Sequence, residues 1–359
     1  MQEQRNELNF KEERIYVGID VHLKSWTVTI LTSHTHHKTF NQPPEPKKLL
    51  AYLQEHFPGG DYYSAYEAGF SGLWTHYELL SHGVHNIVIN PADVPTTGKE
   101  KIRKTDPVDS RKIARSLRSK ELECIYIPSQ LTLSDRSLIR MRLSVVKDLS
   151  RLKQRIKMML HYYGIKIPDS FSKATQFSKG FIDWLRKEAA NAGVINREVF
   201  LFLLDEFEKK KESLSTITHM VTELCKEERY KKNMELIRSI PGIGLITGIT
   251  FLVEIEDINR FPNSDKFAGF IGIIPSCHSS GEKENNGEVT HRRQINMRTT
   301  LIESSWVAVR IDPVLTLAFN QYSRRMETNK AIVKIARKLA NRVYFVLKKQ
   351  TKYVCSVVQ

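Results

Sequence analysis

The sequence contains few cysteines, and they lie far apart. The four cysteines, Cys124, Cys225, Cys277 and Cys355, are spread over 359 residues, and no two have CxxC spacing. Zinc sites and disulfide frameworks both need closely spaced or numerous cysteines. The sequence therefore predicts neither, and it favours a reducing compartment.

Long apolar runs are missing as well. No stretch approaches the roughly 20 residues that a transmembrane helix needs, and the polar beginning MQEQRNELNFKEER does not resemble a signal peptide. Hydrophobic residues make up 41% and charged residues 26% of the chain, which excludes a disordered protein. We therefore expect a cytoplasmic, folded protein of two or three domains with no membrane partner.

Acidic residues are scarce relative to basic ones. The chain has 40 Asp and Glu against 55 Lys and Arg, a formal net charge of +15. Basic side chains that neutralise phosphates release condensed counterions, so this excess favours a polyanionic partner. A basic balance alone does not separate nucleic acid from an anionic membrane. Without apolar segments, a nucleic acid in the nucleoid is the partner that we expect.

The first third of the chain alternates between strand and helix patterns. A strand, a bend and a second strand are predicted for residues 15–31, and the polar stretch from Thr32 to Lys38 predicts a turn before a third strand at Thr39 and Phe40. Helices are predicted at residues 45–57 and 72–81, and strands at 62–66 and 85–90. This alternation predicts an α/β domain over residues 12–128.

A heptad pattern follows in residues 138–163. Its apolar positions are spaced alternately three and four apart, while the other faces carry arginine and lysine. A second helix is predicted over residues 197–229, with an irregular or short-helical tip between the two. Residues 129–232 therefore predict an antiparallel or intermolecular coiled coil, and we expect it to dimerise because an exposed seam needs a partner. The remaining region, residues 233–350, is predicted to be mainly helical.

Four carboxylates stand on predicted rigid elements of the α/β domain. Asp20 lies in the first strand, Glu67 ends another strand, and Asp106 and Asp109 lie three apart at a helix start. Each alone has a structural explanation; Asp106, for example, could be an N-cap. Together they predict a cage for Mg²⁺ or Mn²⁺ of the kind that supports two-metal phosphodiester cleavage.

A polar segment near residue 280 has the composition of a nucleophilic serine site. It is predicted to be a glycine-containing loop that carries Ser276, Ser279 and Ser280. A nucleophilic serine needs access to phosphate and a group that takes its proton. His278, Lys283, Arg292 and Arg293 are candidate proton acceptors and phosphate clamps. The alternative is an ordinary polar turn.

The upstream segment SIPGIGLITGI, residues 239–249, predicts a helix, a tight turn and a second helix. The backbone N–H groups of Gly242 and Gly244 would then face a DNA phosphate at the start of the second helix. A packing corner between two helices is an equally good explanation. Arg298, Lys330, Lys334, Arg337 and Lys338 are further candidates for nucleic-acid contacts.

Taken in order, these motifs resemble the insertion-sequence "one-ten" transposases, also described as bridge-RNA-guided DEDD recombinases. The resemblance covers nearly the whole chain. Ser110 stands where alanine is common in the family. The matching segments are GID with Asp20, YEAG with Glu67, INPADV, KTDPVDSRKIA with Asp106 and Asp109, SIPGIG, and FAGFIGIIP followed by SSG.

The resemblance implies a RuvC-like (RNase H-type) domain, a coiled coil, and a mainly α C-terminal domain with a catalytic serine. It implies a Mg²⁺-binding tetrad of Asp20, Glu67, Asp106 and Asp109, and a nucleophile at Ser280 rather than Ser279. The serine would form a 5′-phosphoserine link to DNA, with target and donor DNA specified by a structured guide RNA. The assembly would be a tetramer of two paired dimers, in which the carboxylates of one subunit complete a site around the serine of another.

Two other functions fit parts of the same pattern. A RuvC-like metal-dependent nuclease would use the carboxylates with water and would form no covalent adduct. A non-catalytic DNA-binding relative would bind without cleaving, although the presence of all four acids and the SSG segment argues against it.

Overall fold

The computed structural model describes residues 10–96, 105–191, 197–280, 283–290 and 293–355, and for residues 190–191, 276–280 and 283–289 it describes the backbone alone. The chain divides into two compact units, residues 1–127 and 128–359. The first unit is a mixed α/β structure and the second is mostly helical, which confirms the predicted fold classes. No helix within the described ranges is long and apolar enough to cross a membrane.

A five-stranded sheet forms the centre of the first unit, in the order β3-β2-β1-β4-β5. Strand β1 pairs antiparallel with β2 and parallel with β4, and β4 pairs parallel with β5. Because β1, β4 and β5 are parallel, their carboxyl ends meet at one edge of the sheet. The strands are β1 (Arg14–Val21), β2 (Trp26–Leu31), β3 (His36–Gln42), β4 (Asp61–Glu67) and β5 (His85–Ile89).

The predicted third strand begins earlier than the sequence suggested. A turn through Lys38 was expected, but β3 begins at His36, and a register shift at Ile30 and Leu31 accommodates the change. Strand pairing with β2 outweighs the low strand propensity of two histidines and a lysine, because propensity is only a weak preference in a paired strand.

Helices cover both faces of the sheet. Helix α1 (Pro46–His56) and helix α2 (Trp74–Ser81) precede helix α3 (Asp106–Arg118) along the chain. Side chains of β1 alternate between the faces, as the two-residue period of a strand requires. Ile15, Val17 and Ile19 pack in the same cluster as Leu49 and Leu53 of α1. On the opposite face, Tyr16 packs against Ala114 of α3.

Helix α3 lies unusually close to β1, and a glycine makes this possible. A Cβ atom on Gly18 would lie 2.1 Å from the carbonyl oxygen of Ser110 and 2.4 Å from the backbone nitrogen of Ala114. The Ser110 hydroxyl also forms a buried 2.8 Å hydrogen bond with the hydroxyl of Thr29 on β2. The serine that departs from the family pattern therefore has a bonding partner within the sheet.

The start of α3 excludes the alternative explanation of Asp106 as an N-cap. The N-cap is Thr105, whose extended φ of −142° and ψ of 148° precede the first helical residue, so Asp106 is not the cap. Pro107 in the first turn explains the start, because proline lacks the N–H that an early helical position leaves unpaired. Asp106 and Asp109 both lie in this first turn, as predicted.

The second unit contains the predicted coiled coil as an antiparallel pair within one chain. Helix α4 (Gln130–Tyr162) is followed by helix α5 (Lys179–Asn191) at the tip and by helix α6 (Arg197–Leu224). The Arg142 Nε donates to the Thr218 hydroxyl at 3.0 Å, and Lys210 Nζ lies 3.6 Å from an Asp148 oxygen. As residue numbers increase along α4, the residues that they contact on α6 have decreasing numbers. The two helices are therefore antiparallel.

The predicted seam is correct only in its central part. Val145, Leu149, Leu152 and Ile156 are buried, but Met141 is 56% exposed. Ile139 is buried instead, in the core that the C-terminal helices form. The packing partner of α4 thus changes near residue 139, and a single heptad register does not extend across that change. Helix α6 also ends at Leu224 rather than at the predicted Arg229.

Several arginines expected on a solvent-facing surface of α4 are used in packing. Helices α7 (Glu228–Arg238) and α8 (Leu245–Ile255) follow α6. The Arg136 Nε donates to the carbonyl of Val253 at 2.6 Å, and Arg140 makes two 3.0 Å hydrogen bonds to the carboxylate of Glu254. Glu254 is only 2% exposed, so these contacts fix α4 against α8.

The remaining C-terminal elements complete this helical core. Helix α9 (Ser264–Ile271) precedes strands β6 (Pro275–Ser280) and β7 (Lys283–Val289), and helices α10 (Ile295–Ile311), α11 (Pro313–Ser323) and α12 (Thr328–Lys349) follow. Helix α11 was not predicted. Among its residues only Leu315 is buried, so its sequence shows little apolar periodicity.

The serine segment corrects a further expectation. A polar loop was predicted, but the backbone of Pro275–Ser280 forms a strand that pairs antiparallel with Lys283–Val289. In this hairpin Ser280 pairs with Lys283. The sequences of both strands are mostly polar and lack the apolar alternation that predicts a strand.

Candidate active site

Strand register brings two of the predicted acids to neighbouring positions. Ile19 of β1 pairs with Tyr66 of β4, so Asp20 and Glu67 occupy the next position along this parallel pair. Paired positions of adjacent strands point to the same face of a sheet. That face is the one against which α3 packs, because Asp20 is two residues from Gly18.

The first turn of α3 supplies the other two acids. Asp106 and Asp109 lie three apart and therefore share one side of the helix. The Asp20 side chain is 23% exposed, while Asp106 remains more open to solvent. The close packing of α3 on Gly18 thus fixes the helix start near the end of β1. It brings together residues that are more than eighty positions apart in the sequence.

A histidine joins two of the acids. His22 Nε2 lies 3.3 Å from Asp20 Oδ2 and 3.5 Å from Asp106 Oδ2. One possible ligand atom from each of the three residues lies within 4.8 Å of the others, the one such group found among the described residues. The structure therefore brings Asp20 and Asp106 together, with His22 between them.

The electrostatics of the site favour a cation. Burial raises the pKa of the Asp20 carboxyl; His22 acts in the opposite direction, and the carboxylates of Asp106 and Asp109 raise it further. Lys112 Nζ lies 3.2 Å from Asp109 Oδ1 and partly offsets the negative charge. Carboxylates that disfavour one another's charge are stabilised when a cation lies between them.

The serine hairpin and its basic neighbours are described only in part. The side chains of Ser279, Ser280 and Lys283 and the whole of Arg292 lie outside the described residues. Arg293 is exposed, and Arg298 on α10 donates a 3.0 Å hydrogen bond to the carbonyl of Thr290. Burial lowers the pKa of Arg298, and the nearby Arg293 lowers it further.

The PGIG turn has a packing function in the fold. Gly244 is exposed and is the N-cap of α8. Gly242 has a φ of +87°, and a Cβ atom there would lie 2.5 Å from the carbonyl oxygen of Ser304. A cleft of about 530 Å³ lies between this turn and the side of α10 that carries Glu303 and Val307. The packing-corner explanation therefore accounts for Gly242, and phosphate binding by the turn stays a prediction.

Two family models match separate parts of the chain. One, described as a transposase and named for the DEDD motif and IS110, matches residues 17–165. The other, described as transposase IS116/IS110/IS902 family, matches residues 234–320. The chain belongs to this transposase family. The first match contains all four acids and His22, and the second contains the PGIG turn and the serine hairpin.

Individual relatives agree with this assignment. A putative transposase, y4qE, of Sinorhizobium fredii is 25% identical over 68% of this chain, and the match spans only 58% of that relative's length. The transposase for insertion sequence element IS1533 of Leptospira borgpetersenii is 24% identical over 82% of this chain and 85% of its own length. The transposase for insertion sequence element IS1111A of Coxiella burnetii is 24% identical over 77% and 75%, respectively.

His22 was not among the predicted site residues. A lone histidine in a strand-turn segment carries no spacing that marks it as a ligand. The available signal was its position two residues after Asp20, because this spacing places both side chains on one face of an extended segment. The position of that face against α3 became visible only in the fold.

Proposed function

We propose that this chain is an insertion-sequence transposase that cleaves and exchanges DNA strands under the guidance of a structured RNA. In this proposal Ser280 is the nucleophile, and Asp20, Glu67, Asp106 and Asp109 hold Mg²⁺ or Mn²⁺. The observation that carries the proposal is the convergence of Asp20, Asp106 and His22 at the carboxyl edge of the sheet.

The sheet itself supports a RuvC-like, RNase H-type domain. Three antiparallel strands continue into two parallel ones, in the order β3-β2-β1-β4-β5. In open sheets, functional groups collect beyond the carboxyl ends of parallel strands. Asp20 and Glu67 stand at such ends, and α3 adds its acids from the covering face. We propose domains at residues 12–128, 129–232 and 233–350.

The donor set fits a hard divalent cation. Mg²⁺ and Mn²⁺ prefer carboxylate oxygen, and four carboxylates on rigid elements could hold two ions. Bound there, the ions would stabilise charge on the attacking and leaving oxygens of a phosphodiester. The chain's own contribution is position, because the packing at Gly18 sets the separation between Asp20 and the first turn of α3.

The serine step needs no redox partner. The Ser280 hydroxyl oxygen would form a bond to phosphorus as the bond from phosphorus to the 3′ oxygen breaks. The proton lost by the serine balances the proton that the departing 3′ oxygen takes up. The product is a 5′-phosphoserine link and a free 3′ hydroxyl, which can reverse the reaction on another strand. The position of Ser280 beside the turn of its hairpin is compatible with access to DNA.

Basic groups near the hairpin and the PGIG turn are the proposed nucleic-acid contacts. The N-terminus of α8 at Gly244 is exposed, as a phosphate-binding helix start must be. Lys283, Arg292, Arg293 and Arg298 would add phosphate contacts. The net charge of +15 suits a protein that holds RNA and DNA by their backbones while base pairing selects the sequence. A homo-oligomer, a dimer that assembles into a tetramer, completes the proposal.

A covalent-trap assay tests this function. The protein would be incubated with Mg²⁺, RNA transcribed from the element's flanks, and element-junction and target DNA, and then resolved on a denaturing gel. We expect a protein–DNA adduct that Ser280→Ala abolishes and the matched control Ser279→Ala retains. Asp106→Asn should lose the adduct while keeping its folded circular-dichroism spectrum.

The alternatives give different gels. DNA cleaved without an adduct would replace the serine mechanism with that of a hydrolytic metal-dependent nuclease. RNA and DNA binding without any cleavage in metal would identify a non-catalytic relative. An adduct that persists in Ser280→Ala but disappears in Ser279→Ala would move the nucleophile by one residue.

A further inference from the structure

His22 occupies a place in the carboxylate site that the four-acid scheme does not explain. Its Nε2 atom faces both Asp20 and Asp106, at 3.3 and 3.5 Å. The backbone N–H of His22 donates to the carbonyl of Ser25 at 3.2 Å, which closes the turn between β1 and β2 and fixes the start of the side chain. The backbone that carries the imidazole is therefore fixed next to the site by the fold.

The separations match those of ligands that share one cation. An ion about 2.1 Å from each donor requires neighbouring donors to lie about 3 Å apart. The two observed distances exceed this value by only a few tenths of an ångström, so side-chain rotation would close the gap. The three donors come from a strand, a turn and a helix, which is how proteins build rigid metal sites.

A surface ion pair would explain less of this geometry. His22 is about half exposed and Asp106 is more exposed, and exposed pairs of this kind contribute little to stability. Asp20, in contrast, is partly buried, with only 23% of its side chain exposed. Two carboxylates, one of them partly buried, lie close to the same imidazole nitrogen. This is the arrangement of side chains that bind one metal ion.

We propose that His22 is a direct metal ligand through Nε2, which makes this a mixed nitrogen–oxygen site. This inference rests on the proposed metal-dependent function and specifies its metal chemistry. The neutral imidazole would give its Nε2 lone pair to the ion and keep its one proton on Nδ1. Asp20 and Asp106 would supply oxygen ligands to the same ion.

A nitrogen ligand has a consequence for metal choice. Mg²⁺ prefers oxygen ligands almost exclusively, whereas first-row transition ions accept imidazole. His22 should therefore shift the site toward Mn²⁺ relative to Mg²⁺. Removing the imidazole should lower Mn²⁺ affinity by about tenfold, the lower end of what one supporting group contributes at a metal site, with a smaller effect on Mg²⁺.

Pulsed electron paramagnetic resonance of the full-length protein with Mn²⁺ tests this directly. A directly bound imidazole gives a ¹⁴N modulation on the Mn²⁺ signal. We expect this modulation in the wild-type protein, its replacement by a ¹⁵N pattern when histidine is ¹⁵N-labelled, and its loss in His22→Gln. The matched control His34→Gln, an exposed histidine in the turn after β2, should keep it. Mn²⁺ and Mg²⁺ titrations of the same proteins give the two affinities.

The possible outcomes distinguish the assignment of His22 as a ligand from the proposed metal-dependent function. Mn²⁺ that binds with no ¹⁴N modulation in the wild type, but is lost in Asp106→Asn, overturns His22 as a ligand and leaves the metal function standing. If Mn²⁺ does not bind, or if Asp106→Asn leaves Mn²⁺ binding unchanged, both the His22 ligand and the proposed metal function are wrong. A modulation that survives in His22→Gln assigns the nitrogen to another histidine and also overturns the inference. The wild-type measurement stands even if His22→Gln folds poorly.

Discussion

Replacing Gly18 with alanine should separate the proposed metal ligands without changing any of them. The added Cβ atom would lie 2.1 Å from the Ser110 carbonyl oxygen and 2.9 Å from the Ala114 Cβ atom. Ordinary van der Waals contact begins at 3.4 Å, so α3 would have to move away from β1 by about 1.3 Å. The nearest obstacles are backbone atoms of a helix, which cannot rotate aside as a side chain does.

The change in the free energy of unfolding caused by Gly18→Ala is the sum of two opposing effects. Alanine stabilises a strand interior by about 0.5–1 kcal/mol relative to glycine, because glycine loses more conformational entropy on folding. Overpacking of this kind costs about 1–3 kcal/mol. We therefore expect a net loss in the free energy of unfolding and a melting temperature lower by several degrees. Since α3 carries Asp106 and Asp109, a shift near 1 Å should reduce DNA cleavage by about a hundredfold.

Thermal unfolding with and without Mn²⁺ separates the two consequences. Gly18→Ala should melt at a lower temperature than the wild type, and Mn²⁺ should raise that temperature less than in the wild type. Gly69→Ala is the matched control in the same unit, because its Cβ atom would meet only the Glu67 carbonyl oxygen at 3.9 Å. A Gly18→Ala protein with unchanged melting and an unchanged response to Mn²⁺ would refute the claim that this contact positions the site.

One further substitution in each of the two units tests its packing. Ser110→Ala removes the buried 2.8 Å hydrogen bond to Thr29, and urea unfolding should show a loss of about 0.5–1.5 kcal/mol; no loss would mean that the bond contributes nothing. Asp312 is fully buried, and although burial raises the pKa of its carboxyl, hydrogen bonds from Arg342 and from the Leu315 N–H lower it overall. A depressed folded pKa adds stability that is complete above the unfolded value of 3.8 and is lost as the pH falls through the folded value. Asp312→Asn should therefore lose about 3–5 kcal/mol at pH 7, because Arg342 is left without its charge partner, and the difference from the wild type should shrink below about pH 4. A difference that stays constant from pH 7 to pH 3 would contradict this assignment.

Local patterns were enough to predict most of the α/β unit. The apolar alternation of residues 15–31 and the helix stop at Pro58 each depend on neighbours in sequence, so β1, β2 and α1 have nearly the predicted bounds. Strand β3 was misplaced because its pairing with β2 overrides local propensity. The order of strands in the sheet is a property of long-range pairing, and periodicity alone contains no information about it.

The second unit shows where periodicity fails. The heptad pattern of α4 predicted burial correctly in the central part of the helix, at Val145, Leu149, Leu152 and Ile156. Near Ile139 the partner becomes the C-terminal core, and the buried face shifts with it. The contacts that Arg136 and Arg140 make with α8 were invisible for the same reason. A basic residue on a helix looks solvent-facing until the fold supplies a buried acceptor.

Within the candidate site, the residue types were predictable and their distances were not. Acids on separate elements predicted a cation site, and the described structure brings Asp20 and Asp106 together. His22 and Gly18 were missed as site residues because neither has a spacing that local chemistry explains. Their positions relative to the acids depend on which element packs against the even-numbered face of β1.

That face suggests why these residues occur together. Tyr16, Gly18 and Asp20 of β1 alternate with the core residues that face α1, and His22 follows directly after the strand. Gly18 removes a side chain at the point where α3 must approach, and the acid and the imidazole follow at the next two positions on the same side. A helix that approaches closely at Gly18 necessarily brings its first turn near the end of the strand. If His22 is a ligand, the segment GIDVH combines two functions. The absence of a side chain at Gly18 sets the distance between β1 and α3, and the side chains of Asp20 and His22 bind the ion. The Gly18→Ala and His22→Gln proteins should then lose metal binding in different ways. Gly18→Ala displaces both acids of α3, whereas His22→Gln removes only the nitrogen ligand.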